Sequence, residues 1–280
     1  MAICQAAMLG CIPIAHIHGG ETTEGLIDEA VRHSITKMSH LHFTATDAYR
    51  NRVIQLGEIP ERVFNVGAPG IDSIKSLKLI DRNALTGSLG FDVTGPFIVV
   101  TYHPVTLKKD GALIALENLL SVLATYPDLN FIITYPNADT HNQGLIIALE
   151  AFKKEHCDQV SLVRSLGQLR YLSLLKHCEA VIGNSSSGLI EAPTFLKPTV
   201  NIGNRQGGRI CGSTVINSDE DVPSITKALK KALSKDFREK CLSEHNPYGY
   251  GGSSKRILDI IKSISLDDLV MKKFYDGKPL

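Results

Sequence analysis

The sequence has no tryptophan, no excess of either charge and no apolar run approaching membrane length, and each shortage closes a class of function. Thirty basic residues against 29 acidic ones leave a net charge of +1. Without a Lys/Arg-rich arm, such a chain has no electrostatic footprint for a nucleic-acid backbone. Unbroken apolar runs such as Phe97 to Val100 fall far short of the roughly 20 residues that span a bilayer. The six cysteines (Cys4, Cys11, Cys157, Cys178, Cys211, Cys241) include no C-x-x-C pair, which argues against a zinc site or a disulfide framework and for reduced thiols in a cytosol. No basic residue precedes Arg32, so the apolar stretch Met1 to Ile17 lacks the positive n-region of an export signal. The faint lipoprotein-like Met8-Leu9-Gly10-Cys11 fails for the same reason. The stretch reads instead as a buried helix, Ala2 to Leu9, running into a buried strand, Ile12 to Ile17.

What is present is a regular alternation. Short β-branched runs ending in Gly, Asn or Pro alternate with amphipathic stretches of helical length, the pattern of βαβ units on parallel sheets. From Pro96 onward, strands are expected at Phe97 to Thr101, Phe131 to Thr134, Ser161 to Val163, Ala180 to Ile182 and Thr199 to Ile202. Helices are expected between them near Ala112 to Tyr126, Gln143 to Glu155, Gln168 to Lys176 and Ser187 to Phe195. Such a doubly wound domain places ligands at the carboxyl ends of its strands. Before residue 95 the convincing strands are Ile12 to Ile17, Leu41 to Thr44 and Val63 to Val66. Since Ile12-Pro13-Ile14-Ala15 is apolar on both faces, this strand calls for neighbours on both edges. The expectation is a first domain, residues 1–80, that is incomplete because its opening strands lie upstream of Met1. A linker follows at 81–95, then a complete Rossmann-like domain at 96–250, then a helix within 251–280 that returns to the first domain.

Five clusters carry possible chemistry. His16-Ile17-His18-Gly19-Gly20-Glu21 ends a strand in two glycines, which let a backbone approach a ligand closely and set Glu21 just beyond the strand tip. Asp28, Glu29, Arg32 and His33 follow on the first turns of a helix, with Asp28 and Arg32 neighbours on one face; read alone, they also fit a capped helix with a surface ion pair. His16 and His18 share a strand face, but no His-x-x-x-His spacing or nearby thiolate supports a metal. Thr101-Tyr102-His103-Pro104 ends the strand that opens the second domain. Its proline aims His103 to the interdomain side, where an imidazolium could meet a phosphate or an acid/base group could act; a hydrogen-bonded turn residue is the plainer alternative. Tyr135-Pro136-Asn137-Ala138-Asp139 ends another strand with ordinary turn formers. The strongest cluster is Gly183-Asn184-Ser185-Ser186-Ser187-Gly188-Leu189-Ile190-Glu191. Here a strand ends in small residues that offer amides and hydroxyls at a helix amino terminus, an anion site that needs no lysine. Glu191 would suit the vicinal hydroxyls of a ribose. The chain has neither a Walker loop nor G-x-G-x-x-G. Last, Asn201 to Arg209 sets two arginines, Arg205 and Arg209, in a glycine-rich loop that could hold phosphate or a base.

Taken in order, these motifs closely resemble the hydrolysing UDP-N-acetylglucosamine 2-epimerases of sialic acid biosynthesis, the bacterial NeuC type and the epimerase half of the animal bifunctional enzyme. The most specific pieces are His16 to Glu21 with Asp28 to Lys37, His103-Pro104-Val105-Thr106, Gly183 to Glu191 and Gly203 to Arg209. The resemblance implies an α/β fold of GT-B architecture, two Rossmann-like domains with parallel sheets and the nucleotide sugar in the cleft between them. It implies a two-step reaction: a carboxylate removes the C2 proton as UDP is eliminated, then water adds to 2-acetamidoglucal to give N-acetylmannosamine. By position, Asn137, Ser185, Ser186, Glu191 and Arg205 match the family's UDP contacts, and His103 falls on the phosphate near the leaving group. Glu21 and Asp28 are the acid/base candidates. His18, a substrate-binding candidate, stands where the animal and non-hydrolysing relatives carry a glutamate; bacterial NeuC-type sequences also have His there.

The family's Gly-Asp-Arg motif, whose aspartate is counted among the catalytic acids, would lie upstream of Met1. The chain is therefore expected to be impaired or dead, either an epimerase with a misplaced start or a non-catalytic short chain that retains the second domain and binds UDP without turning it over. The resemblance further implies a UDP-sugar as the partner molecule, no cofactor and no metal, no nucleic acid or membrane, a cytoplasmic homodimer or homotetramer, and a close alternative substrate, UDP-N,N'-diacetylbacillosamine of the legionaminic acid branch.

Overall fold

The computed structural model describes residues 1–24, 26–104, 111–137, 142–267 and 269–277. The chain divides into two compact units: Met1–Thr23, Ile27–Lys75 and Pro247–Leu280 form the first, Glu24–Leu26 and Ser76–Asn246 the second. Among the described residues no helix is long and apolar enough to cross a membrane.

The first unit carries a parallel sheet of three strands, β1 (Ala15–Ile17), β2 (Leu41–Thr44) and β3 (Val63–Asn65), in that spatial order. The middle strand is buried along its whole length, as a strand must be when it has a neighbour on each edge and helices on its faces. The crossovers are the helices Asp28–Met38 and Asp47–Gln55. The second begins at Thr46, whose hydroxyl accepts the Tyr49 N–H at 3.2 Å and so satisfies an amide that the helix itself leaves unpaired. Leu41, Phe43 and Val66 form the core with Ile257 and Leu269 from the chain's carboxyl-terminal part. The helix that brings Ile257, Ser253–Ser263, follows Gly252, which has no capping side chain. Asp72 substitutes, accepting the amides of Ser253 and Ser254 at 3.1 and 2.7 Å.

The helix Ala2–Leu9 forms, yet none of its residues is buried; Ile3 and Leu9 are 85% and 83% exposed. The strand after it is shorter than expected, Ala15–Ile17 rather than Ile12 to Ile17, and its two outer residues are exposed. Pro13 has no N–H for a ladder, and the amide of Ile14 is taken by the His40 ring at 3.0 Å. The expectation of a buried helix is thus corrected, and the strand keeps only its last three residues; among the described residues β1 pairs with β2 alone.

The sheet is fastened by a buried carboxylate. Glu58 accepts hydrogen bonds from Lys37 at 2.6 Å, the His42 ring at 2.9 Å and Lys272 at 2.8 Å. It thereby joins a helix, the middle strand and the carboxyl-terminal segment. Burial alone would raise its pKa, but the bonds from His42, Lys272 and Lys37 outweigh that and hold it at about 2. Burial also lowers the pKa of His42, against the pull of Glu58.

The second unit carries six parallel strands: β4 (Phe97–Thr101), β5 (Asn130–Thr134), β6 (Val160–Val163), β7 (Ala180–Gly183), β8 (Thr199–Ile202) and β9 (Val215–Ser218). Their order is β6-β5-β4-β7-β8-β9, the doubly wound order with its switch point between β4 and β7. Ile98, Val100, Leu116, Leu119, Ile133, Ile182, Val200 and Leu229 meet in its core. The last strand, Val215–Ser218, was not expected from the sequence, being four residues at the end of a glycine-rich loop. The segment expected as a linker contains a helix, Arg82–Leu89, in the second unit. Asp81 caps it by accepting the Ala84 amide at 2.9 Å, Gly90 ends it in the left-handed conformation, and Leu85 is fully buried. Turn-forming residues there cap a short helix instead of forming a free connection.

Because the folded pKa of Glu58 lies below its unfolded value, its contribution to stability is complete above the ordinary carboxylate range and is lost as pH falls toward 2. His42, also lowered, acts in the same sense at higher pH, since the unfolded chain protonates first. Glu58→Gln is expected to cost about 3 kcal/mol at pH 7, the low end for breaking a buried pair because two of the partners reach solvent. It should also flatten the loss of stability below about pH 5. Urea unfolding across a pH series measures both.

Candidate functional site

In the first unit the candidate residues gather where β1 ends. His18 leaves the strand with φ +64°, a left-handed conformation that costs a residue with a Cβ about 1–2 kcal/mol. Its surroundings hold it there. The His18 amide donates to the Phe43 carbonyl at 2.9 Å. At Gly20, φ is +78° and a Cβ would lie 2.3 Å from the Tyr49 carbonyl oxygen. Arg52 donates to the Gly20 carbonyl at 2.5 Å. So placed, His18 Nδ1 stands 2.6 Å from the Glu21 carboxylate; the Glu21 side chain is 3% exposed and that of His18 37%.

The loop beyond is held from the helix Asp28–Met38. Arg32 donates to the Glu21 carbonyl at 3.3 Å, to the Thr23 hydroxyl at 3.1 Å and to Glu29 at 3.4 Å. Glu29 accepts the Thr23 amide at 2.7 Å and the His33 ring at 3.0 Å. Its carboxyl is lowered because these bonds outweigh the effect of burial. The expected ion pair of Asp28 with Arg32 gives way to Glu29: the guanidinium turns to a buried carbonyl and hydroxyl that need donors, and Asp28 is exposed at the first helical position. His16 turns inward to Thr36 Oγ1 at 3.2 Å, and burial, with the neighbouring His42 and Arg32, lowers it to about 4. Among the described residues no group of three His, Cys, Asp or Glu is disposed to hold a metal.

In the second unit the candidates converge on the switch point. Gly183 ends β7 at φ +137°, where a Cβ would fall 1.9 Å from the Thr101 carbonyl oxygen of β4. The next residue, Asn184, is buried and clamps the other strand's exit: its Oδ1 accepts the His103 amide and its Nδ2 donates to the His103 carbonyl, both at 2.8 Å. The Asn184 carbonyl in turn accepts Arg205 Nη1 at 3.1 Å and Gln206 Nε2 at 2.7 Å. One asparagine therefore fixes the tips of β4, β7 and β8 relative to each other.

His103 Nδ1 accepts the Asn137 amide at 3.1 Å, which leaves the ring proton on Nε2. Burial first, then the charge of Arg205, lower His103 to about 4. The imidazolium allowed by the sequence is replaced by a neutral ring that donates through Nε2. Asn137 is exposed and acts here through its backbone; Val105, Thr106, Ala138 and Asp139 lie outside the described residues.

Ser185 accepts the Ser187 amide at 3.3 Å. Tyr171 donates to the Ser187 hydroxyl at 2.7 Å, and that hydroxyl donates to Glu191 at 2.5 Å. Burial raises the Glu191 carboxyl. Ser186, half-buried, precedes the helix Ser187–Ile190, a single turn followed by a 3-10 turn, Ala192–Phe195. The longer helix Ser187 to Phe195 does not form, because Pro193 has no N–H and its ring opposes the α pattern. What this strand end offers is thus a cluster of loop amides and hydroxyls rather than a long helix dipole. Asn184 lies within Gly183 to Glu191 with no sequence mark of its clamping role, and Glu29 takes the contact that helical spacing assigns to Asp28. Tyr171, on the helix Gly167–His177, has no sequence signal linking it to Glu191.

Three comparisons bear on these groups. The sequence model of the UDP-N-acetylglucosamine 2-epimerase family matches residues 1–262. The chain is 36% identical over 279 residues to the GDP/UDP-N,N'-diacetylbacillosamine 2-epimerase (hydrolyzing) of Campylobacter jejuni, covering 99% of this chain and 72% of that protein. It is 37% identical over 280 residues to a polysialic acid biosynthesis protein of Escherichia coli, covering 98% and 70%. Among solved structures, the UDP-GlcNAc 2-epimerase from Neisseria meningitidis bound to UDP-GlcNAc superposes with a TM-score of 0.80 at 20% identity, covering 94% of this chain and 73% of that one. That likeness concerns the fold: parallel α/β sheets of the GT-B class.

The switch-point geometry is sensitive to small changes. Asn184→Ala leaves the buried amide and carbonyl of His103 unpaired, an expected cost of about 2–6 kcal/mol at about 1–3 kcal/mol for each buried group. Gly183→Ala should be at least as severe, since the clash is with backbone. Urea midpoints of the two variants against the parent check both.

Proposed function

The chain belongs to the UDP-N-acetylglucosamine 2-epimerase family, and on that premise we propose that it converts a UDP-linked 2-acetamido sugar to UDP and the free sugar epimerised at C2. The observation that carries this reading is the Asn184 clamp, which sets a neutral His103 and Arg205 on one residue at the switch point. In the proposed mechanism Arg205 and the hydroxyls of Ser185 and Ser186 hold the diphosphate, and His103 Nε2–H donates to the phosphate oxygen that leaves. Glu191, aligned by Ser187 and Tyr171, accepts the ribose hydroxyls, and Asn137 contributes at the rim. The proton transfers fall to the His18–Glu21 pair and Asp28 of the first unit. Donors that meet charge as it develops on the leaving oxygen stabilise the transition state more than the ground state. Elimination followed by hydration is redox-neutral, so the reaction calls for no hydride carrier.

UDP-N-acetylglucosamine giving N-acetylmannosamine is the first substrate reading. A second, UDP-N,N'-diacetylbacillosamine, is favoured by the name of the 36% identical Campylobacter relative. Incubating the protein with each sugar and resolving products by NMR is expected to show UDP with one epimerised sugar. Turnover of neither sugar would overturn the enzymatic reading, and UDP binding without product would support a binding role instead. Calorimetry with UDP should show Arg205→Ala weakening affinity by roughly 10- to 100-fold, as the loss of a charge-assisted hydrogen bond predicts.

A further inference from the structure

Within the first unit, the His18–Glu21 contact has a directional chemistry. Glu21 is 3% exposed and so shielded from any ligand at the surface, while the imidazole that it meets at 2.6 Å is 37% exposed. A carboxylate accepts but does not donate, so the proton between them belongs to His18 Nδ1, and Nε2 is left as a lone-pair acceptor. This is the second tautomer in the chain's candidate groups, opposite to that of His103, whose Nδ1 is taken by the Asn137 amide. The backbone that carries Glu21 is itself held: Arg32 bonds the Glu21 main-chain carbonyl and the Thr23 hydroxyl, and Glu29 accepts the Thr23 amide. The imidazole is fixed from the other side by its φ of +64° and its amide bond to Phe43. A strained conformation retained under such constraint is a mark of a pre-organised site.

We propose that His18 is the catalytic base of the first unit and that Glu21 is a positioning residue acting through it, fixing the Nδ1–H tautomer. The proposal rests on the reaction proposed above. In the elimination, Nε2 takes the C2 proton and the C2–H electron pair becomes the C1=C2 bond. The C1–O bond breaks with its electrons leaving on UDP. The imidazolium so formed is stabilised by the Glu21 carboxylate and returns its proton to water. Among the described residues, the other titratable or charged groups around the pair include Arg32, Arg52, Glu29, His33 and the inward-facing His16.

Glu21→Gln is the discriminating variant. Its amide can donate to Nδ1, which transfers the ring proton to Nε2 and removes the base while preserving shape, the tautomer defect known when a triad aspartate is made asparagine. The expected result is a loss of kcat on the order of 10²- to 10⁴-fold with KM changed little. Glu21→Asp should recover part of it, and His18→Ala should be rescued in part by added imidazole. Two-bond proton–nitrogen NMR of histidine-labelled protein, which needs no substrate, should show His18 as the Nδ1–H tautomer in the parent and the Nε2–H tautomer in Glu21→Gln. An unchanged kcat in Glu21→Gln, or an Nε2–H tautomer in the parent, overturns the dyad. If the parent turns over neither sugar, the reaction reading fails by itself, and the NMR result still decides the tautomer.

Discussion

The close approach of β7 to β4 is the constraint from which the second unit's candidate site follows. Gly183 allows it, because a side chain would occupy the position of the Thr101 carbonyl oxygen, and Asn184 exploits it by taking both backbone groups of His103. Two neutral hydrogen bonds in a buried setting are worth little in net stability, but leaving their groups unpaired is costly, so the arrangement is held by the penalty of losing it. Arg205 and Gln206 then add themselves to the Asn184 carbonyl. The positions of His103, Arg205 and Gln206 at this sheet end therefore derive from one buried asparagine, while the His103 tautomer follows from the Asn137 amide.

The first unit solves a similar problem with carboxylates. Glu58 holds the middle strand to a helix and to the carboxyl-terminal segment, and Glu29 with Arg32 holds the loop that carries Glu21. Buried charges are expensive unless each is met by donors, and both carboxylates are depressed by their partners despite burial. His16 and His103, by contrast, are lowered mainly by burial and stay neutral at pH 7. Charged groups thus fasten the structure of the first unit, while uncharged rings, His16 in the first unit and His103 in the second, stay free of charge at neutral pH.

Much of this could be read in the sequence where pattern and chemistry coincide. The strands from Phe97 to Ile202 follow from β-branched runs with turn residues at their ends, and the motif Gly183 to Glu191 lies where a doubly wound sheet puts its ligands. The errors have physical causes. Pro13 shortened a strand that looked continuous, Pro193 broke a helix that looked long, and Asp81 with Gly90 turned a loop-like composition into a capped helix. Helical spacing pairs Arg32 with Asp28 and is silent about a loop that folds back with groups of its own to satisfy, so Arg32 turns to that loop and to Glu29.

By itself the sequence determined the class of the fold, the family and the segments that carry chemistry, because hydrophobic period, glycine placement and motif order are local properties. It could not assign tautomers, decide which carboxylate is buried or show that Tyr171 reaches Glu191 through Ser187. Those depend on which donors and acceptors meet across distant parts of the chain. Asn184 and His103 are 81 residues apart, and only the packing of two strands side by side turns them into one element.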